Sequence, residues 1–74
     1  METAETKTIQ VVVNGEPKAA PRGFHIGRLL EFLGVDPAKV AVELNRSIVR
    51  KQDWGATIVE DGAQLEIVWF VGGG

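Results

Sequence analysis

The 74-residue sequence predicts an α+β domain, a mixed sheet of four to five strands with one main helix packed on one face. Three observations predict it. Apolar residues alternate at Ile9, Val11 and Val13, the two-residue period of a strand with one face buried. Ile26, Leu29, Leu30 and Leu33 fall at i, i+3, i+4 and i+7, the period of a short amphipathic helix. Residues 65–71 form the most apolar segment of the chain. A strand that hydrophobic is an aggregation hazard at a sheet edge, so it belongs in the interior, beside the first strand.

Each element follows in order. Residues 1–6 are polar and read as a disordered N-terminal extension, ahead of a domain spanning residues 7–71. The first strand covers residues 7–13 and meets Asn14-Gly15, a strong hairpin signal because both central positions of a type I′ turn need positive φ. The return strand, residues 16–20, contains Pro17, which cannot donate to a ladder and so places this strand at the sheet edge. Pro21-Arg22-Gly23 closes it. His25 stands at the N-cap position of a helix of about two turns, and Gly34 supplies the stop. Phe24 and Phe32 pack locally against that helix.

After the turn at Asp36-Pro37, residues 40–44 read as a strand with Val40, Val42 and Leu44 on one face. Asn45-Arg46 turns it into a short return at residues 47–49. Residues 50–54 read as a polar loop or single helical turn anchored by Trp54. Ile58 and Val59 lead to another turn at Glu60-Asp61-Gly62, and the final strand begins. This order gives the β-grasp arrangement of ubiquitin-like domains, a fold that does not fix a function.

The strand runs into Gly72, Gly73 and Gly74. Glycine has no Cβ, so the three make a flexible tail that could thread a channel too narrow for any other residue. Extended, it reaches roughly 10 Å beyond Val71 and delivers only the terminal carboxylate. On their own, three glycines also fit an incidental, frayed terminus.

Composition narrows the chemistry. There are no cysteines, which excludes a disulfide framework, a Cys-based zinc site and a thiol nucleophile. The one histidine, His25, cannot make a metal cluster alone, and no metal site is expected. A net charge of −2 from interspersed signs leaves no basic stripe for nucleic acid. No apolar run approaches the ~20 residues of a membrane span, and the N-terminus is acidic rather than signal-like. Cytoplasmic residence is the expectation, as a monomer when free. No acid–base pair or nucleophile suggests an enzyme.

Several segments together resemble the ThiS sulfur carriers of thiamin biosynthesis. They are Val13-Asn14-Gly15-Glu16, Ile26 with Leu29-Leu30, residues 40–45, Ile48-Val49, Trp54, Asp61-Gly62 and the terminal glycines. The likeness covers residues 9–74 and its motifs stand in family order. Departures are His25 where the family usually has Thr or a similar cap, and Ala63 where an acidic residue often follows the turn glycine. The resemblance implies that a ThiF-type adenylyltransferase uses ATP to activate the Gly74 carboxylate. Sulfur from a donor such as a cysteine desulfurase then replaces the AMP, and the thiocarboxylate serves a ThiG-type thiazole synthase. On this reading Gly74 reacts, Gly72 and Gly73 thread it into two enzyme sites, and the chain binds no cofactor of its own. Alternatives are a MoaD-like small subunit of molybdopterin synthase, a ubiquitin-like modifier joined to lysines, and a binding module whose glycines are incidental.

Docking would fall to residues of the last strand that cannot face the core. If Leu65 and Ile67 are buried under the helix, Val68 and Phe70 lie on the opposite face, near the tail. That face either meets a partner or is closed into a second small core by Trp54 or Trp69.

Overall fold

Asn14 and Gly15 both adopt positive φ, 51° and 85°, as the expected turn requires, and fold the first strand back on itself. A computed structural model describes residues 7–71; the N-terminal extension at 1–6 and the glycine tail at 72–74 lie outside the described residues. Strands β1 (Thr8–Val13) and β2 (Glu16–Pro21) flank this turn. Helix α1 (Ile26–Phe32) follows, then a 3-10 turn at Pro37–Lys39 and the second hairpin, β3 (Val40–Leu44) and β4 (Ser47–Val49). A 3-10 helix at Lys51–Ala56 leads on to β5 (Gln64–Trp69).

The sheet order is β2-β1-β5-β3-β4. β5 runs parallel to β1 and antiparallel to β3, so the sheet is mixed and its most apolar strand sits in the middle. β2 is at the edge, where Pro17 and its missing N–H are tolerated. It runs one residue further than expected, because Pro21 still pairs with Thr8.

Alternation decides what each strand buries. Ile9, Val11 and Val13 from β1, Val40 and Val42 from β3, and Leu65 and Ile67 from β5 join Ile26, Leu29 and Leu30 of α1 in one core. Trp54 belongs to the same core, its indole N–H donating to the Val49 carbonyl at 2.8 Å. The predicted polar loop or single turn is therefore a 3-10 helix, anchored by Trp54 as expected. Phe24 and Phe32 do pack locally, ring centroids 5.8 Å apart in an edge-on arrangement.

Both ends of α1 are satisfied by local chemistry. His25 caps the start, its Nδ1 accepting from the Arg28 N–H at 3.1 Å. At the other end Leu33 is the C-cap rather than part of the helix, and Gly34 takes φ 78°. The Gly34 N–H donates to Glu31 and the Val35 N–H to Leu30, which satisfies two final carbonyls in a Schellman arrangement.

The last strand ends at Trp69 rather than Val71. Its partner β3 begins at Val40, so pairing beyond Trp69 is limited to the Phe70 N–H donating to Lys39 at 2.9 Å. Backbone partners end before the hydrophobic run does.

Candidate functional site

The expected division of β5 is present. Leu65 and Ile67 are buried, while Val68 and Phe70 are 55% and 60% exposed. The second small core imagined over them does not form among the described residues. Trp54 lies in the single core with α1, and Trp69 is 51% exposed. The open face continues across the sheet. Val68 stands opposite Ala41, and Glu43 stands between Glu66 on β5 and Ile48 on β4. Ile48 is 74% exposed and adds an apolar side chain to this face from the short return strand.

This arrangement suits docking more than chemistry. Exposed apolar side chains on a central strand keep a contact surface available. Glu43 and Glu66 directly opposite each other are mildly unfavourable as like charges, so local stability is not what this face optimises. Among the described residues, no group of three or more His, Cys, Asp or Glu is placed to hold a metal. Val71, the last described residue, is almost fully exposed. Gly72, Gly73 and the expected reacting residue Gly74 lie outside the described residues.

The edges of β5 differ along its length. The register with β3 makes 66, 68 and 70 its hydrogen-bonded positions, as the Phe70–Lys39 bond shows. The backbone groups of Leu65, Ile67 and Trp69 therefore face the β1 side. There the Leu65 carbonyl accepts from the Asn14 N–H at 2.9 Å, after which β1 turns away. The Asn14 side chain continues the ladder: Oδ1 accepts from the Ile67 N–H at 2.7 Å and Nδ2 donates to the Ile67 carbonyl at 3.1 Å. Next to this contact lies a groove of about 310 Å³, lined by Asn14, Lys18, Leu33, Val35, Ile67 and Trp69 among others. Sequence reasoning found Asn14 as a turn residue and missed its hold on β5.

The family model described as the ThiS family matches residues 11–74. The chain belongs to the ThiS family. Its fold agrees: the crystal structure of the thiamine biosynthesis protein ThiS from Geobacter metallireducens superposes with a TM-score of 0.79 at 33% identity, covering 89% of this chain and all of that one. The β-grasp fold read from the sequence is thus the fold of a ThiS protein. The sulfur carrier protein ThiS of Escherichia coli K12 is 30% identical over 66 residues, 89% of this chain and 100% of the carrier. Two thiazole synthases, from Magnetococcus marinus and Paramagnetospirillum magneticum, are 41% and 46% identical over 66 residues. The chain spans only 20% of the length of each. No helix among the described residues is long and apolar enough to cross a membrane.

Proposed function

We propose that this ThiS-family chain is a sulfur carrier whose C-terminal Gly74 is the loaded group. A carboxylate is a poor electrophile because its charge is delocalised and its oxygen leaves badly. Adenylation by ATP gives an acyl-adenylate and pyrophosphate. The terminal sulfur of a donor persulfide, such as that of a cysteine desulfurase, then displaces AMP to give an acyl disulfide. A thiol reductant cleaves its S–S bond, leaving a thiocarboxylate and the oxidised donor. A ThiF-type adenylyltransferase performs the activation, and a ThiG-type thiazole synthase takes the sulfur for the thiazole ring of thiamin. The chain acts as substrate and donor, not as catalyst, and binds no cofactor itself. It is a cytoplasmic protein, monomeric when free.

The observation that carries this reading is the family match running through residue 74, the glycine tail included. The two thiazole synthases support the choice of partner, since each contains a segment similar to 89% of this chain. The exposed Val68 and Phe70 support a docking role for the outward face, because apolar anchors often dominate interface energy. Neither the molybdopterin synthase subunit nor the protein-modifier alternative draws comparable support.

Intact mass after incubation with ATP, a sulfur source and the adenylyltransferase tests the proposal. The expected product has one carboxylate oxygen exchanged for sulfur. Deleting Gly73 and Gly74 should change stability by no more than about 0.5 kcal/mol, the usual range for surface changes. It should nonetheless abolish loading, because the new terminus falls about 7 Å short and reacting atoms must approach to ~3–3.5 Å. The shortened chain should still dock, and so inhibit loading of the intact one competitively. Normal thiocarboxylate yield from it would end the assignment.

A further inference from the structure

The two hairpin turns hold β5 near opposite ends by related means. Asn14 and Asn45 both take φ 51°, a left-handed conformation that asparagine tolerates better than most residues. Each directs its side-chain amide onto β5. Asn45 Oδ1 accepts from the Gln64 N–H at 2.9 Å, where the strand starts. Asn14 bonds both backbone groups of Ile67, so one side chain takes the place of a missing strand residue.

β1 cannot extend this ladder itself, because its backbone leaves the sheet at the Asn14-Gly15 turn. The amide of Asn14 is therefore the last hold on that side of β5 among the described residues. Beyond it the strand is held by β3 alone, through Trp69 opposite Val40 and the Phe70–Lys39 bond. We propose that Asn14 is a positioning residue that fixes the direction in which the chain leaves β5, and thereby presents Gly74 to the activating enzyme. The second half rests on the sulfur-carrier reading; the first does not.

Without the amide, the point at which β5 is held from both sides retreats from Ile67 to Leu65. Residues 66–70 then hang from one neighbour. A tilt about Leu65 grows along residues 66–71 and displaces the point from which the glycines start. Fewer tail conformations then bring the Gly74 carboxylate into reacting position, where a misplacement of about 1 Å can cost about a hundredfold in rate. The docking face need not change for this to happen.

Substitution to glycine isolates the effect, because glycine keeps the positive φ of the turn and removes only the amide. Asn14→Gly is compared with Asn45→Gly, the matched change at the other end of the strand, and with Asn14→Asp, which keeps an acceptor for the Ile67 N–H and loses the donor to its carbonyl. Two readouts are taken: amide exchange at Phe70, normalised to each variant's global stability, and kcat and KM for loading by the adenylyltransferase. Asn14→Gly should raise Phe70 exchange about tenfold, a change worth roughly 1.4 kcal/mol and of the size expected for lost hydrogen bonds. It should lower the loading kcat by about tenfold or more with KM little changed. Asn14→Asp should fall between it and the parent, and Asn45→Gly should leave both readouts near the parent. Equal effects from Asn14→Gly and Asn45→Gly, or an unmoved Phe70 amide, would overturn the proposal. If Asn14→Gly does not fold, Asn14→Asp carries the same comparison. If the parent chain is never loaded, the sulfur-carrier reading fails and the exchange arm still decides whether Asn14 holds the strand end.

Discussion

Leu65 and Ile67 on the inward face of β5 are buried to within a few per cent, while Val68 and Phe70, no less apolar and in the same segment, stand more than half exposed. Composition cannot explain that difference. The pleat sends alternate side chains to opposite faces, and α1 and its flanking segments cover only one of them. Burial supplies roughly 25 cal/mol per Å² of apolar surface, so the inward residues hold the domain together while the outward ones forgo that gain. One strand thus carries a buried face and an open one, which substitutions can separate.

The largest effect should come from Ile67→Asp, which places a carboxylate in the core without a partner. Loss of the cooperative thermal transition is the expected outcome, since an uncompensated buried charge costs several kcal/mol against a small domain's stability. Leu65→Ala should keep the fold but lower stability by about 2–5 kcal/mol in urea unfolding. On the other face, Val68→Asp and Phe70→Asp should shift stability by no more than about 0.5 kcal/mol. Both should weaken binding to the adenylyltransferase by about tenfold or more, read by titration calorimetry. Unfolding by either outward substitution would collapse the distinction between the faces. The smallest effect is expected from Glu66→Gln, which removes a like-charge opposition with Glu43 and should raise stability by about 0.2–1 kcal/mol.

Where a local rule was in force, the sequence was legible. Asn14-Gly15 announced its turn through the φ it needs, and the spacing of Ile26, Leu29 and Leu30 announced α1. The central place of β5 followed from its apolarity, and the split of its faces from the two-residue period. The illegible features depend on residues far apart in the chain. β5 stops at Trp69 because β3 begins at Val40, a boundary set by the neighbouring strand. Asn14 reaches a residue 53 positions away, and nothing around either residue signals that contact. Trp69 has the parity of Leu65 and Ile67 yet is half exposed, so periodicity predicts its direction but not its cover. The outward exposure of Val68 and Phe70 could be read from alternation, whereas Ile48 joined them on that face only once β4 was placed beyond β3.

The central position of β5 also has a consequence for how the protein is made. Each hairpin closes between neighbours in sequence, but within the sheet the two hairpins are joined only by β5. During synthesis β1 to β4 and α1 leave the ribosome before the strand that joins them. The sheet lacks its middle until Trp69 has emerged, so folding waits on contacts that are distant in sequence. A chain cut within β5 by premature termination or proteolysis would hold two unjoined hairpins and be open to degradation. A partner that recognises the folded body is therefore also testing, indirectly, that synthesis reached the segment leading to the glycines.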